Sequence, residues 1–487
     1  CLKDSTFLLL KYLHNKLLYF KIKKKTYWRK IMAVERQRQH EQDPNIRKTN
    51  FDAVEENFTD EQAKLESSRC LNCKNPRCVS GCPVNINIPA FIHEVKEGNI
   101  DKAGEVIRQS SMLPSVCGRV CPQERQCEGK CVLGIKGDAV AIGALERYVG
   151  DKTKAAETEI KPSGKKVAIV GSGCAGITAA ADLRKAGHEV TVFEALHELG
   201  GVLRYGIPPF RLPRVVLDRE LDALKAMGVK FNKNVIVGKS ITLKQLEDDG
   251  YDAIFICSGA GLPKMMGIPG ENLNGVYSAN EFLTRVNLMH ANDDKYPTPL
   301  RVGKKVAVIG GGNVAMDAAR TSLRAGFEEV HIVYRRTEAE LPARKEEIRH
   351  AKEEGVIFDL LHAPVEILGE DGYVKGMKFE IMELGEPDES GRRKPIGTGE
   401  YTVMDVDSVI VALGTGPNPI IQKSAVADDM AFDTDKKGYI VINGDTGETS
   451  IPRIYAGGDV APTGPSTAIN AMGAGKRAAK AINELLK

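Results

Sequence analysis

The stretch KKVAIVGSGCAG, from Lys165 to Gly176, returns as KKVAVIGGGNVA from Lys304 to Ala315. Each copy passes from a short apolar strand through a glycine-rich turn into a segment with helical spacing. Such a turn places backbone N–H groups at a helix N-terminus, where they can bind the pyrophosphate of a dinucleotide. The sequence therefore predicts an α/β fold with two Rossmann-like, nucleotide-binding domains.

The first copy has the features of a dinucleotide site that accepts an unphosphorylated ribose. Gly171 makes the tight turn, Gly173 lets the backbone approach the pyrophosphate, and Gly176 lets the helix pack against the strand. Glu194 ends the next strand, where a carboxylate accepts hydrogen bonds from a ribose diol and repels a 2′-phosphate. The first unit thus fits FAD or NAD better than NADP, and Gly201 is a further predicted cofactor contact.

The second copy differs from the first at the position that is expected to contact the ribose. Its glycine-rich turn contains Gly310 and Gly312, and Asn313 opens the following helix. The next strand ends in Arg335 and Arg336, and guanidinium groups bind phosphate in a bidentate manner. We therefore expect this unit to prefer NADPH over NADH. The alternative is that both arginines are a solvated strand end beside nearby acids.

The C-terminal part carries a third cofactor signal, in YAGGDV and the turn that follows it. Asp459 is expected to bind the ribityl hydroxyls of a flavin. The amides near Thr467 and Ala468 open a helix and would face the N1 and O2 edge, where reduced flavin gathers negative charge. Gly414, in the run VIVALGTG, is also predicted to contact a cofactor.

Eight of the 11 cysteines lie in two quartets. The first quartet is Cys70, Cys73, Cys78 and Cys82, and the second is Cys117, Cys121, Cys127 and Cys131. Thiolates at these spacings can hold a cubane cluster, and in two-cluster patterns the Cys that precedes Pro serves the other cluster. Structural zinc is the rival, although it usually shows two CxxC pairs. The sequence therefore predicts two [4Fe-4S] clusters.

A chain of 487 residues has room for about three domains. A polar linker that ends in Pro162-Ser163-Gly164 marks one boundary. The predicted divisions are a leader or artefactual extension (1–31), a helical two-[4Fe-4S] domain (32–160), a first part of the FAD domain (161–298), an inserted NADPH domain (299–416) and a second part of the FAD domain (417–487).

The formal charge of +3 depends on residues 1–31, which carry nine Lys and Arg against one acid, Asp4. The rest of the chain has a slight excess of acid, so a nucleic-acid partner is not expected. No run of about 20 apolar residues is present, and no membrane association is expected, although a basic arm at a membrane surface stays an alternative for residues 1–31. Because no targeting signal is recognisable, we expect a cytoplasmic protein.

With these motifs in this order, the chain resembles the glutamate synthase small (beta) subunit family of FAD-dependent pyridine-nucleotide oxidoreductases. The resemblance rests on CLNCKNPRCVSGCPVNINIP, CGRVCPQERQCEGKC and AIGALER, and it covers about Met32 to Lys487. The chain is also similar to the large subunit of the electron-bifurcating NADH-dependent reduced ferredoxin:NADP oxidoreductase. Its front half looks like the N-terminal part of dihydropyrimidine dehydrogenase.

The resemblance implies which side chains hold the clusters. One cluster would be bound by Cys70, Cys73, Cys78 and Cys131, and the other by Cys82, Cys121, Cys127 and Glu146. Counting cysteines would instead choose Cys117 over Glu146, and both choices stay open at this point.

The resemblance also implies a function, which is electron transfer between NADPH, FAD and the clusters in glutamate biosynthesis. The expected partner is a redox subunit, either a glutamate synthase large chain or a ferredoxin:NADP oxidoreductase small subunit, in an oligomer. A flavoprotein that senses NADPH without turnover is the non-enzymatic alternative.

Overall fold

The computed structural model describes residues 34–154, 159–387, 389 and 391–487. The predicted leader, residues 1–31, lies outside the described residues, as does part of the linker that precedes Gly164. None of the described helices has the length and apolar character that a membrane crossing requires.

The cysteine-rich segment folds into short helices joined by tight turns. Helices α1 to α7 span Pro44–Arg47, Asp60–Ser68, Arg77–Ser80, Ile88–Glu97, Ile100–Arg108, Pro114–Val120 and Ile142–Lys152, with 3-10 turns at Gln123–Arg125, Glu128–Lys130 and Val132–Ile135. Local sequence explains their ends: Thr59 and Gln62 form a capping box at the start of α2, and Gly98 ends α4 with a φ of +84°. The helical character predicted for this domain is therefore observed.

Strands and helices alternate after the linker. Strands β1 to β15 are Lys166–Val170, Glu189–Phe193, Lys230–Asn232, Ala253–Ile256, Leu262–Pro263, Val276–Ser278, Lys305–Ile309, Glu329–Tyr334, Ile357–Leu360, His362–Glu370, Tyr373–Pro387, Arg393–Asp405, Ser408–Val411, Thr415–Gly416 and Ile454–Ala456. Helices α8 to α16 are Cys174–Lys185, Val202–Tyr205, Arg214–Ala226, Leu243–Asp248, Ala279–Asn287, Asn313–Arg324, Lys345–Glu353, Ile420–Ala427 and Ala468–Leu485.

The first sheet has five parallel strands in the order β15-β4-β1-β2-β3. All four residues of β4 are apolar and buried, as expected for a central parallel strand that is covered on both faces. Strand β15 comes from near the C-terminus, and Tyr455 lies opposite Phe255 of β4. The first unit is thus built from two separate parts of the chain, which confirms the predicted fold class with one unit inserted in the other.

The second sheet has the order β6-β13-β7-β8-β9, again parallel. Its edge strand β6 is Val276–Ser278, and the next helix, α12, contributes Phe282 and Leu283 to the core of this unit. The second unit therefore begins within the range 161–298 that the sequence assigned to the first. The reason is that a three-residue strand gives no apolar run from which a boundary could be located.

Two smaller sheets complete the second unit. Strands β10, β11 and β12 form an antiparallel sheet, and β5 pairs with β14 where the chain passes between the two units. Every residue of β12 is exposed or partly exposed. This antiparallel sheet was not predicted from the sequence.

The cysteine-rich domain and the first unit share one hydrophobic core. That core joins residues such as Phe91 and Leu145 of the helical domain to Val167, Leu221 and Met472 of the first unit. The cysteine groups are therefore fixed relative to the first sheet by apolar burial, the main favourable term in folding.

Candidate active site

Four cysteines line a single apolar pocket near the surface of the helical domain. Cys70, Cys73 and Cys78 come from the first quartet, and Cys131 is contributed by the second. The remaining walls are mainly apolar and are formed by residues such as Ile88, Ile92, Leu133, Val140 and Ile142. This group is called the outer cysteine group below.

The thiols of the outer cysteine group influence one another. Burial, together with the neighbouring Cys70 and Cys131, raises the pKa of Cys78 to about 11. Burial likewise raises the pKa of Cys70, with Cys131 and Cys73 acting in the same direction. Several thiolates in one apolar pocket require positive charge between them, and iron supplies that charge in a metal–thiolate site.

A second group of candidate cluster ligands is more deeply buried. Cys82, Cys121 and Cys127 are buried, and Glu146 contributes a carboxyl group that is only 6% exposed. Burial raises the pKa of Glu146 to about 8, and its Oε1 atom is buried without a hydrogen-bond partner. Buried carboxylate oxygens are normally satisfied, so an orphaned one among thiols fits a metal ligand. These four residues are called the inner group.

Cys117 also lies beside the inner group, but its sulfur has other contacts. The Cys117 thiol is fully buried, donates to Sδ of Met472 at 3.5 Å and lies 3.9 Å from the Ser111 hydroxyl. Cys117 is near enough to hydrogen-bond with Cys121 and to raise its pKa. The structure thus brings together all five candidate ligands, and it leaves Glu146 rather than Cys117 with an unpartnered polar atom.

The first glycine-rich turn has the close approaches that its sequence predicts. Gly171 has a φ of +113°, and a Cβ there would lie 2.6 Å from the main-chain oxygen of Cys257. A Cβ on Gly176 would lie 2.0 Å from the oxygen of Gly171. By contrast, no atom lies within 4 Å of the Cβ position of Gly173, which precedes α8. The turn is therefore open to a phosphate at the N-terminus of this helix.

Glu194 lies against the same turn. Its carboxylate accepts hydrogen bonds from the N–H groups of Ser172 at 3.0 Å and Leu196 at 2.8 Å, and from the Ser172 hydroxyl. Oε2 accepts both bonds from Ser172, whereas Oε1 accepts only the bond from Leu196 and keeps a lone pair for a ribose hydroxyl. A Cβ on Gly201 would lie 3.0 Å from the Cα of Gly173, so the predicted contact residues of this unit are adjacent.

The C-terminal turn carries the remaining predicted flavin contacts of the first unit. Burial raises the pKa of Asp459, and a hydrogen bond from Ser466 acts in the opposite direction. Thr467 caps α16, which begins at Ala468, and its hydroxyl accepts from the N–H of Asn470. Helix α16 packs on α8, so the two helices that begin at predicted flavin contacts lie directly against each other.

The second glycine-rich turn repeats the first. A Cβ on Gly310 would lie 2.5 Å from the oxygen of Ala412, while no atom lies within 4 Å of the Cβ position of Gly312 or Gly414. Asn313 opens α13, and its side-chain oxygen accepts from the N–H of Arg344 at 2.9 Å. This turn also has an open approach to a helix N-terminus.

The two predicted phosphate-binding arginines have different environments. Arg335 is exposed, whereas Arg336 is only 5% exposed and donates from Nε to the main-chain oxygen of Arg393 at 2.7 Å. Arg393 belongs to β12 and pairs with Glu340 at 2.6 Å. The antiparallel sheet thus adds a third guanidinium beside the end of β8.

Sequence reasoning missed Arg393 and Arg344. Arg393 is distant in sequence from the strand it joins, and only the long β11–β12 hairpin brings it there. The run Leu341-Pro342-Ala343-Arg344 was a usable signal, because a Pro in a loop after the two predicted phosphate-binding arginines marks a fixed turn.

Known protein families match both parts of the chain. A family model described as dihydropyrimidine dehydrogenase domain II, 4Fe-4S cluster, matches residues 47–158. A second model, pyridine nucleotide-disulphide oxidoreductase, matches residues 130–234 and 165–475.

Several relatives are similar over most of the chain. The glutamate synthase [NADPH] small chain of Escherichia coli is 38% identical, over 91% of this chain and 95% of its own length. The protein of the same name from Halomonas elongata is 36% identical, over 94% and 98%. The NADP(+)-dependent formate dehydrogenase subunit beta of Moorella thermoacetica is 39% identical, over 84% of this chain and 60% of its own length.

A solved structure is similar in fold. Mycobacterium tuberculosis FprA in complex with NADPH matches 66% of this chain and 85% of its own length, with a TM-score of 0.54 and 23% identity.

The fold and these sites define an iron–sulfur flavoprotein oxidoreductase with two dinucleotide-binding domains. The chain belongs to the family of the glutamate synthase small chain. It is an NADPH-dependent oxidoreductase whose cofactors are FAD, NADPH and two [4Fe-4S] clusters. The family, the general function and the cofactors predicted from the sequence are confirmed.

Proposed function

We propose that this chain takes electrons from NADPH at the second unit and delivers them through the inner and then the outer cysteine group to a redox partner. The observation that carries this proposal is the contact of Cys117 with Met472 of α16, because Cys117 lies beside the inner group and α16 begins at the proposed flavin contacts. When bound, FAD accepts the hydride of NADPH and releases its two electrons singly to the clusters.

The residues of the first unit would hold FAD. Gly171, Gly173 and Gly176 shape the pyrophosphate site, and Glu194 binds the ribose diol. Asp459 would bind the ribityl chain, while the N-terminus of α16 at Thr467 and Ala468 directs positive potential at the flavin edge. Gly201 and Gly414 stay predicted cofactor contacts.

The second unit would hold NADPH. The amides that follow Gly310 and Gly312 face the pyrophosphate at the start of α13, where Asn313 lies. The exposed guanidinium of Arg335 is free to reach a 2′-phosphate, and Arg336 supports the same strand end from a buried position.

We assign the outer cluster to Cys70, Cys73, Cys78 and Cys131, and the inner cluster to Cys82, Cys121, Cys127 and Glu146. The orphaned Oε1 atom supports Glu146 as the fourth ligand. Cys117 would then be a buried neighbour of the inner cluster, held by its contact with Met472.

The outer group is where electrons would leave the chain. Exposed cations lie at its rim or close to its cysteines in sequence, namely Lys74, Arg77, Lys96, Lys130 and Lys136, and Ile135 is 69% exposed. Within the residues that the structure describes, none of these five cations forms an ion pair, whereas buried Arg69 and Arg147 are both paired. An unneutralised basic rim around an apolar centre fits an acidic protein surface.

We infer that the partner is a redox subunit. Residues 34–487 are occupied by the cysteine-rich domain and the two dinucleotide units, so glutamine hydrolysis and glutamate formation would need a further domain or chain. A glutamate synthase large chain is the first choice, since the small chains named above are similar over nearly their full length. The small subunit of a bifurcating ferredoxin:NADP oxidoreductase is the second choice.

We also propose a cytoplasmic location and an oligomeric assembly with that partner. The location is supported by the ten described cysteines, none of which forms a disulfide within the described residues, as expected in a reducing compartment.

The test is an anaerobic reduction followed by a pull-down. Protein with about eight iron and one FAD should lose its flavin absorbance when NADPH is added, and its clusters should then become reduced. Zinc in place of iron, or clusters that stay oxidised, would contradict the proposal. Co-purification of a chain with glutaminase and FMN-binding domains would support the glutamate synthase role, and a small [2Fe-2S] flavoprotein would support the second choice.

A further inference from the structure

The loop of residues 341–344, called the bridging loop below, is attached to the second glycine-rich turn. The N–H of Ala343 donates to the main-chain oxygen of Gly311 at 3.1 Å. The N–H of Arg344 donates to the side chain of Asn313 at 2.9 Å, at the first residue of α13. Any change in the turn that accompanies nucleotide binding would therefore be transmitted to the bridging loop through these two hydrogen bonds.

The same loop is bound on its other side to the cysteine-rich domain. The buried guanidinium of Arg344 donates to the main-chain oxygen of Arg119 at 3.1 Å and to Oε1 of Gln123 at 3.0 Å. Arg125 donates in the opposite direction, because its two Nη atoms bind the main-chain oxygens of Pro342 and Ala343 at 2.9 and 3.1 Å. Four hydrogen bonds thus join the bridging loop to residues 119–125.

Gln123 connects Arg344 to the backbone near the inner group. Its side-chain amide donates to the main-chain oxygens of Cys117 at 3.3 Å and Gly118 at 3.1 Å. Its own N–H donates to the oxygen of Cys121 at 2.9 Å. One side chain therefore separates Arg344 from two cysteine-bearing peptides.

We propose that Arg344 and Gln123 are positioning residues that couple nucleotide binding at the second unit to the backbone that carries Cys117, Cys121 and Cys127. The inference rests on the proposed function, because it takes the second glycine-rich turn as the NADPH site. Coupling of this kind is reciprocal: if the nucleotide alters the inner group, the state of the inner group alters the affinity for the nucleotide. The affinity for NADPH, and with it the entry of electrons, would then depend on the state of the inner cluster.

The test follows amide hydrogen exchange of residues 117–127 in the holoprotein with and without NADP⁺. NADP⁺ should slow exchange in this segment of the wild-type protein. Arg344→Ala keeps the N–H that binds Asn313, so it should bind NADP⁺ within about threefold of wild type by calorimetry, yet lose the protection of residues 117–127. Gln123→Met, which has a similar volume and no amide, should have the same effect from the other end of the path.

Arg349→Ala is the matched control. Arg349 lies on the helix that follows the bridging loop and pairs at the surface with Glu41 and Glu353, so its loss should leave both binding and protection unchanged. A second readout is the ratio of the NADP⁺ dissociation constants of oxidised and dithionite-reduced protein. We expect this ratio to differ from one by about fivefold in wild type and to approach one in Arg344→Ala.

Each outcome bears on one of the two proposals. If wild type binds NADP⁺ without protection of residues 117–127, or if both Arg344→Ala and Gln123→Met keep the protection, the coupling is wrong while the NADPH site stands. If wild type binds no NADP⁺, the proposed function itself fails, and the coupling fails with it.

Discussion

Gly475 of α16 lies directly against Ala175 of α8, so that a Cβ at position 475 would be 2.3 Å from the main-chain oxygen of Ala175. Ala175 is in the first turn of α8, the helix that follows the first glycine-rich turn. The two helices come from opposite ends of the divided first unit, and their close packing depends on the missing side chain.

Gly475→Ala should therefore push α16 away from α8 and weaken FAD binding. Overpacking of a close contact costs about 1–3 kcal/mol. We expect a lower melting temperature and less bound FAD per chain, measured by calorimetry and by absorbance after gel filtration. Gly444→Ala is the control, since no atom lies within 4 Å of that Cβ position. Equal FAD content in both variants would contradict the argument.

The choice between Glu146 and Cys117 can be made with two substitutions. Glu146→Ala should lower the iron content from about eight towards about four per chain, because the inner cluster would lose a ligand. Cys117→Ser should keep all the iron, because its sulfur is engaged with Met472. Iron and sulfide analysis of anaerobically purified protein checks both, and the reverse pattern would assign the ligand to Cys117.

Glu220 makes the stability of the protein depend on pH. Burial raises its pKa to about 7, and Arg108 and Arg219 oppose the shift only in part. The folded state then holds a proton that the unfolded state releases, so stability falls as pH rises from about 4.5 to about 7. Glu220→Gln should be more stable than wild type at pH 8, by on the order of 2 kcal/mol, but not at pH 4.5.

Denaturant unfolding at the two pH values measures this difference. Asp222→Asn on the same helix is the control, because Asp222 is exposed and, among the described residues, pairs only with Lys225 at the surface. Its effect should stay within about 0.5 kcal/mol at both pH values. If the free energy of unfolding of Glu220→Gln differs from that of wild type by the same amount at pH 4.5 and pH 8, the carboxyl group does not titrate in this window.

The sequence predicts those parts of the fold that are built from continuous apolar runs. Strands β1, β4 and β7 are such runs, and the glycine-rich turns after β1 and β7 follow directly from them. Strand β12 could not be found in this way, because both of its faces are largely exposed and show no alternation. Strand β6 is too short to show any pattern.

The candidate site likewise contains residues that the sequence predicts and residues that it does not. Cysteine and glycine spacing identifies residues whose chemistry is local in sequence, such as Cys70 and Gly171. Arg393 reaches the end of β8 only through the pairing of β11 with β12, and Arg344 meets Gln123 only when two domains pack. Contacts between distant segments depend on tertiary packing, which no single window of sequence records.

Preference for NADPH can be tested at Arg335. Arg335→Gln removes an exposed cation at the end of β8, and a lost charge-assisted contact with a 2′-phosphate should weaken NADPH binding by roughly tenfold or more. NADH affinity should not change, because NADH lacks that phosphate. Stopped-flow flavin reduction with each nucleotide measures the ratio. Arg336→Glu is a less clean variant, since it would place an acid at a buried position.

The basic rim of the outer cysteine group should control the rate of electron delivery. Complementary charge accelerates association at low salt, and the effect is screened as ionic strength rises. A Lys74→Glu, Lys130→Glu double variant should therefore reduce an acidic acceptor protein at least about tenfold more slowly at low ionic strength, with a smaller difference at about 0.5 M salt. Reduction of its own flavin by NADPH should stay at the wild-type rate, because both lysines lie in the cysteine-rich domain. A Lys436→Glu, Lys437→Glu double variant, at two exposed positions in the C-terminal segment, is the charge-matched control. Equal rates for the Lys74→Glu, Lys130→Glu variant and wild type at low salt would mean that electrons leave the chain by another surface.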